Sequence, residues 1–416
     1  MANLISEDPP AASAAFTPAK APAMPLAASS SLMPAVFLAL GTAAIGTEGF
    51  MIAPLLPTIA ADLGMSLSAT ATLVVVFTLM MAVSSPITTV ATAGLGRRSA
   101  LLLAMGLFTA ANLAAAFSSS FTTLLIARMA MAIASGLYVP GANALAGVIV
   151  APEKRGRALA IVSGGMTLAI ALGLPLGALV GHAFGWRVTF LGVAGMGLVA
   201  IVGILLGNRR DAGAQVAVAS LSERLGVVRQ PAVLGLLGVT LFWSVGAFVA
   251  YPYIAPYLAE VLGFGPAGIS ASVSAWGLAA AVGVSVGGSL NDRLGSRRVV
   301  IGSLAVLALS FLTLALATRL PPALALVPVL AGVVGWGFSV WSFYPAQLAR
   351  LIAAGPAAQA PVALALNTST MYLGFSLGSA LGAGLVAGGL IWAIGAVAAA
   401  SEIIALVLDR RRALMS

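Results

Sequence analysis

Two charged side chains stand where a chain keeps charge only for a purpose. Glu48 lies in the stretch Ile45–Gly64, IGTEGFMIAPLLPTIAADLG, inside an apolar run that begins near Met33, and Arg128 lies inside a second apolar run, 121–149. A charge at the centre of a membrane-spanning helix costs about 2.5–3.5 kcal/mol on insertion scales, so such a group marks a functional site by default. Desolvation favours the protonated acid and a neighbouring guanidinium favours the carboxylate, so a site whose separation or hydration changes takes up and releases a proton. The same two residues would also serve as a permanent ion pair locking two helices, because structural pairs perturb proton affinity as well. At about 1.5 Å per residue, Glu48 sits about 12 Å and Arg128 about 10 Å from the same ends of their spans, which lets them meet.

Other chemistries find no residues. The chain has no Cys and a single His, His182, which excludes disulfides, thiolate metal sites and an all-protein zinc site. No cofactor is expected. Glu48, Arg128 and Glu402 are the only charges placed within spans, too few for the convergent nucleophile and base of a membrane enzyme. No G-x(4)-G-K-[ST] loop occurs, so ATP is not used within this chain. Glu402 falls within about two turns of the end of its span, where snorkelling or pairing with Arg410, Arg411 and Arg412 is expected. His182 is expected at the surface.

The elements that must position Glu48 and Arg128 are membrane helices. Of 416 residues, 61% are hydrophobic and 7% charged, against roughly 25% charged in soluble domains. Twelve apolar segments each reach the length needed to cross a bilayer: 33–56, 69–92, 99–117, 121–149, 158–182, 188–207, 232–257, 268–290, 298–318, 322–349, 362–387 and 390–408. The fold class is therefore an all-α polytopic membrane protein. Residues 1–32, rich in Ala, Pro and Ser, are expected to form a disordered cytoplasmic tail. Then follow a six-helix bundle at 33–207, a linker at 208–231, a second bundle at 232–408 and a basic tail at 409–416.

The net charge of +9 would suggest nucleic acid in a soluble protein, but here its distribution points to the lipid bilayer. With a cytoplasmic N-terminus, seventeen basic residues lie inside and only Arg187 and Arg319 outside, with Arg128 within a span. This asymmetry orients the chain with both termini cytoplasmic.

The two bundles read as a repeat. Ile52-Ala-Pro returns as Ile254-Ala-Pro, Gly136 as Gly337, and the ladder Gly173, Gly177, Gly181 as Gly374, Gly378, Gly382, at separations of 201 or 202. Repeated six-helix halves with substrate bound between them characterise the major facilitator architecture. Further residues extend the likeness. They are Glu48 with Leu55-Leu56-Pro57, Ile59-Ala60 and Asp62-Leu63-Gly64; Gly288 with Asp292-Arg293, Gly295 and Arg297-Arg298; Gly96-Arg97-Arg98, where Ala93 and Gly94 replace Asp and Arg; Arg128 with Ala132 in place of glycine; the loop Pro152–Arg157; Gly173-Leu-Pro175-Leu-Gly177; and Gly185-Trp186-Arg187. On these motifs the region 33–408 resembles a twelve-helix major facilitator transporter of the drug:proton antiporter type, close to bacterial arabinose, sugar and nucleoside efflux permeases. The resemblance implies a monomer in the bacterial inner membrane that exchanges protons for a small organic molecule and binds no nucleic acid. It assigns proton coupling to Glu48 and Arg128, both close helix packing and a gating hinge to Gly173, Pro175 and Gly177, and a conformational latch to Gly288, Asp292, Arg293, Gly295, Arg297 and Arg298. Gly96, Arg97 and Arg98 are the degraded first-half copy of that latch.

Stacking faces and amides at Asn143, Tyr251, Tyr253, Trp336, Trp341, Tyr344, Gln347 and Asn367 make these the candidate cavity residues. Trp243 and Trp392 fit interfacial anchors. A facilitator or uptake porter, and a receptor or scaffold that transports nothing, stay open at this point. The topology has a direct test: reporters fused after Ser119 and Gly263 should report the outside and one after Ala358 the inside. A cytoplasmic signal from either of the first two excludes twelve spans.

Overall fold

The computed structural model describes residues 31–92, 94–207, 226–356 and 359–415. Residues 1–30 of the expected tail, 208–225 of the expected linker, Ala93 and Ala358 lie outside them. Among the described residues the elements are helices. The twelve long ones are α1 (Met33–Asp62), α2 (Thr72–Ala91), α3 (Arg97–Ala116), α4 (Phe121–Ile149), α5 (Arg155–Phe184), α6 (Trp186–Gly207), α7 (Pro231–Leu262), α8 (Pro266–Leu294), α9 (Ser296–Ala317), α10 (Pro322–Ala353), α11 (Ala360–Ala387) and α12 (Ala393–Met415). Eleven are long and apolar enough to cross a membrane. The twelfth, α12, carries Glu402, Asp409 and three arginines, which dilute its hydropathy. Met33 and Met415 stand on one face of the bundle, here the terminal face; Asp62 stands on the opposite, far face.

Four helices differ from expectation for physical reasons. Helix α1 continues six residues beyond 56, with Pro54 and Pro57 inside it. Proline removes a backbone donor and crowds the preceding turn, but Leu55, Leu56 and Ile59 around it are fully buried, so packing holds the segment helical. Helix α5 is interrupted by a π segment, Ala169–Gly173, and α7 by a 3-10 turn at Tyr251–Tyr253. Helix α12 runs on to Met415 through its arginines.

Lipid supplies no hydrophobic drive for helix association, so close approach at small residues must do the work. On α5, Gly173, Gly177 and Gly181 face Thr47, Met51 and Leu55 of α1, each four residues from the next. The second ladder repeats the device. Gly374 on α11 faces Ser244, Gly378 faces the backbone of Val245 and Val249, and Gly382 faces Tyr253, all on α7. Gly136 of α4 meets Ser84 and Ser85 of α2, and Gly337 of α10 meets the backbone of Trp276 on α8. The sequence echoes are thus paired helix crossings.

Among the described residues, the hydrogen bonds and ring contacts seen to join the first six helices to the last six, such as those of Tyr251 and Ser376, fall between mid-membrane and the far face. Tyr251 Oη donates to the Phe50 carbonyl at 2.8 Å, and Ser376 Oγ to the Val75 carbonyl at 3.0 Å. At the π segment, a Cβ added to Gly277 of α8 would stand 2.5 Å from the Ile170 carbonyl oxygen, so α5 and α8 touch backbone to backbone there. Such π turns are frequent at functional sites.

A Cβ at Gly378 would stand 2.9 Å from the Val249 backbone nitrogen, whereas at Gly384, one and a half turns on, it would meet nothing within 4 Å. Gly378→Ala should therefore cost about 1–3 kcal/mol by overpacking, and Gly384→Ala almost nothing. Thermal unfolding in detergent measures both.

Candidate functional site

Glu48 and Arg128 meet. The carboxylate of α1 accepts a hydrogen bond from Arg128 Nη1 of α4, and both side chains are 0% exposed. Helix α2 completes the site: Arg128 Nε donates to the Leu73 carbonyl at 3.5 Å, and its guanidinium carbon lies 4.1 Å from the centre of the Phe77 ring. The aromatic face offers the cation partial compensation for lost hydration. Glu48 Oε2 and Arg128 Nη2 have no protein partner among the described residues. The pair is thus held by one charge-assisted bond and keeps hydrogen-bonding capacity on both sides. Counted from the full α1, Glu48 is fourteen residues, about 21 Å, from Asp62, while Arg128 is seven residues, about 10 Å, from Phe121. The equal depths expected from sequence were set by ending α1 too early; the extra turns carry α1 beyond the end of α4 on the far face.

Beside the pair, between the two sets of six helices, lies a small cavity of about 20 Å³. Its lining comes from α1 (Ile45, Gly46, Gly49, Phe50), α2 (Phe77, Thr78, Met81), α5 (Met166), α7 (Phe248) and α11 (Tyr372, Phe375). Phe77 thus touches the ion pair on one side and the cavity on the other. A larger apolar groove, about 330 Å³, runs along α1, α5 and α6 past the exposed Leu168, Leu172 and Leu176. It lies within the first six helices and faces away from the second six, so it is a lipid-facing surface and not the site.

None of the eight candidate cavity residues lines the central cavity in this conformation. Tyr251, Trp336 and Trp341 build an aromatic cluster beside it: Tyr251 lies 5.7 Å from Phe50, 4.9 Å from Trp276 and 6.3 Å from Trp336, and Trp341 lies 5.9 Å from Phe50 and 6.0 Å from Tyr344. The indoles of Trp276, Trp336 and Trp341 leave their N–H groups without protein partners. Tyr253 ties α7 to α11 by donating to the Ser379 carbonyl at 2.6 Å. Gln347 Nε2 donates to the Leu236 carbonyl at 2.8 Å and to Thr240 Oγ1 at 3.1 Å, and Thr240 in turn donates to Asn367 Oδ1 at 2.7 Å. These amides are joints between α7, α10 and α11. Asn143 donates to the Val139 carbonyl of its own helix at 3.1 Å. The lining residues Phe50, Phe77, Phe248, Tyr372 and Phe375 were missed because single apolar rings in apolar helices give no signal of which face they occupy.

The motif residues separate into clasps and exposed loops. On the far face, Asp62 accepts from Arg187 Nη1 at 2.6 Å and from Trp186 Nε1 at 3.2 Å, while Arg187 Nη2 donates to the Ser118 carbonyl at 3.0 Å. Two motifs distant in sequence thereby close α1, α3 and α6 together. On the terminal face, Arg98 Nη2 donates to the Leu205 carbonyl at 2.9 Å and caps the end of α6, with Gly96 and Arg97 opening α3. Gly295 turns the chain from α8 to α9 at φ +82°, a conformation that favours glycine. Gly288 is half-buried; Asp292, Arg293, Arg297 and Arg298 are exposed. Asp292 accepts from Asn291 at 3.4 Å and has no ion pair among the described residues. Arg297 lies 4.0 Å from the buried Asp409 of α12, which is also ion-paired to Arg350 of α10. Gly173 closes the π segment and Pro175 follows within the next turn, against α1 through Gly173 and Gly177.

Two expectations are corrected. Glu402 does not snorkel; it is fully buried, and neither carboxyl oxygen has a protein partner among the described residues. The helix extends thirteen residues beyond it to Met415, too far for its side chain to reach the face. Trp243 is not an interfacial anchor. It is fully buried in α7 and stacks on Phe343 at 4.5 Å, whereas Trp392 is 50% exposed in the far-face turn between α11 and α12. His182 is half-buried near the far end of α5.

Twelve membrane helices in two sets, with a desolvated ion pair beside a cavity between them, define a polytopic transporter. The chain belongs to the Major Facilitator Superfamily, whose family model matches residues 38–343 and 236–414. It is similar to an uncharacterized MFS-type transporter, YbcL, of Bacillus subtilis (strain 168), with 30% identity over 83% of this chain and 86% of the relative. It is also similar to the inner membrane transport protein YdhP of Escherichia coli (strain K12), 29% identical over 91% of this chain and 96% of the relative. A chloramphenicol resistance protein of Streptomyces lividans is 33% identical over 63% of this chain and 67% of the relative. The protein is a multi-pass membrane transporter and not an enzyme.

The two ionic clasps differ in burial, and so in worth. Arg187 and Asp62 are 37% and 43% exposed, whereas Asp409 is 0% exposed. Asp62→Asn should cost less than about 1 kcal/mol, as exposed pairs do. Asp409→Asn, which leaves Arg350 without its buried partner, should cost about 3–5 kcal/mol. Denaturant unfolding of the purified variants compares them.

Proposed function

We propose that this transporter exports small organic molecules of the drug, sugar or nucleoside class, driven by proton entry, with Glu48 as the proton carrier and Arg128 as the cation that promotes release. The observation that carries the reading is the fully buried Glu48–Arg128 pair, which abuts the central cavity through Phe77. A proton moving inward down a 100 mV potential supplies about 2.3 kcal/mol, and its site must bind on one side and release on the other. Cargo arriving beside Phe77 reaches the wall of the ion pair, and a change there alters the balance between desolvation and ion pairing that decides protonation. The chloramphenicol resistance relative supports the drug class.

In this reading the two bundles, 33–207 and 232–408, rock about the cavity, and 208–231 links them. The positive-inside asymmetry makes the terminal face cytoplasmic. The contacts of Tyr251 with Phe50 and of Ser376 with Val75 then close the outer side, leaving this conformation poised toward the inside. The π segment of α5 is the hinge, and the loop around Asp292 latches another state of the cycle, since Asp292 is unpaired by any base in this one. A single chain in the bacterial inner membrane suffices.

Inside-out vesicles test the reading, with proton flux followed as chloramphenicol-like drugs, sugars, nucleosides and cationic dyes are added. Glu48→Gln should keep expression and substrate binding, lose uphill export, and lose the pH dependence of substrate affinity. A purely structural pair predicts instead a loss of about 3–5 kcal/mol of stability in Glu48→Gln, because Arg128 is left uncompensated, with recovery in Glu48→Gln/Arg128→Gln. Uphill export with normal proton coupling by Glu48→Gln would refute the mechanism.

A further inference from the structure

Glu402 is a second buried acid, on a different helix pair and without a counter-ion. It lies nine residues, about 13 Å, from the far end of α12 at Ala393, and seven residues, about 10 Å, from Asp409. It is fully buried, and neither Oε1 nor Oε2 has a protein partner among the described residues. Its carboxyl head occupies a notch made by Gly246 of α7: a Cβ there would stand 2.5 Å from Glu402 Oε1 and 3.0 Å from the Ala398 carbonyl oxygen. One residue before it, Ser401 Oγ donates to the Phe242 carbonyl of α7 at 2.7 Å. The acid therefore sits in the seam where α12 docks on α7.

Among the described residues, no charge reaches that seam. The α7 segment Pro231–Ala250 carries no ionisable side chain; beyond it Tyr251, Tyr253 and Tyr257 donate to the Phe50, Ser379 and Leu314 carbonyls, and Glu260 is exposed at the far end of the helix. On α9 the only ionisable residues are Arg297 and Arg298 at the terminal face, where Arg297 lies beside Asp409. Helix α11 contributes only Tyr372, whose ring packs against Phe375 at 5.6 Å and lines the central cavity. On α12 itself, Asp409 is paired with Arg350 of α10, and Arg410 and Arg411 follow it toward the terminal face. A carboxylate buried without a cation or a donor is far costlier than the neutral acid. The Ala398 carbonyl borders the same notch and adds a partial negative charge to it, not a donor.

We infer that Glu402 is a second proton-binding site, whose bound proton holds α12 against α7 in the far-face-closed conformation. Five residues beyond Gly246, the same helix carries Tyr251, whose hydroxyl closes onto Phe50 of α1. Loss of the proton leaves a carboxylate that must find water, which parts α12 from Gly246 and loosens the segment of α7 that makes the closing contact. The sign follows from linkage. The docked state binds one proton more than the undocked state, so docking weakens by about tenfold per pH unit as pH rises through the range where Glu402 ionises only after undocking. Glu402→Gln, a neutral isostere of the acid, removes the dependence while keeping the fit. None of this requires Glu48 to carry the transported proton.

The chain has no Cys, so spin labels can be placed at Ala61→Cys on α1 and Ala259→Cys on α7, both exposed near the far face. In lipid nanodiscs, pulsed EPR should show the short-distance population falling as pH is raised in otherwise wild-type protein. With Glu402→Gln added, the short distance should persist as pH is raised. Superimposable pH responses would overturn the inference, whether or not Glu48→Gln still exports substrate uphill. Should Glu402→Gln not accumulate, Glu402→Met serves a second measurement. The infrared carbonyl band of a protonated carboxylic acid, present in wild-type protein at neutral pH, should lose intensity in the variant, and an unchanged band would equally overturn the inference.

Discussion

A carboxylate and a guanidinium stripped of water must find each other, and around that requirement the first six helices are arranged. The desolvation of two charges is repaid only where geometry is good and remaining groups are compensated. Here α1 supplies Glu48, α4 supplies Arg128, and α2 supplies the Leu73 carbonyl and the Phe77 ring. Those three helices can converge because Gly136 lets α4 lie against α2. The pair is incompletely satisfied by protein, with one oxygen and one nitrogen left over. A structural lock would gain from satisfying both; a site whose protonation must change gains from leaving them.

The two halves use one packing device with different local backbone. In each, a glycine ladder on the fifth helix of the set receives side chains or backbone from the first, α5 on α1 and α11 on α7. The irregularity falls on opposite members of the pairs, as a π segment in α5 and as a 3-10 turn in α7. Both irregular segments lie near mid-membrane and face the other half, α5 against α8 at Gly277 and α7 against α1 at Tyr251. Backbone that departs from the α-helix at this depth is tolerated only where protein or water covers it. In the proposed cycle these are also the places that absorb the rocking motion.

The charges of the second half follow another logic. Asp409 gathers Arg350 and Arg297 at the terminal face, joining α12, α10 and α9, while Glu402 faces α7 with no counter-ion. One acid is held by cations and the other by a proton, although both lie on the same helix two turns apart. Distance from basic side chains separates their states, not residue type.

Much was legible in the chain because membranes impose period and length. Apolar runs marked the helices, the repeat of Gly173, Gly177 and Gly181 as Gly374, Gly378 and Gly382 marked paired crossings, and Glu48 and Arg128 stood out against their surroundings. Helix ends were not legible, since Pro54 and Pro57 signal a stop that buried packing overrides. Nor was the cavity. Tyr251, Trp336, Gln347 and Asn367 had the right chemistry, yet their partners are other helices, while Phe50, Phe77, Phe248 and Phe375 line the space. Which face of an apolar helix looks inward is decided by crossing geometry, because in lipid both faces are hydrophobic and periodicity carries no sign. The same reason hid Glu402: its burial depends on Gly246 of a helix more than 150 residues earlier, a distance across which only tertiary structure can bring a notch to a carboxyl group.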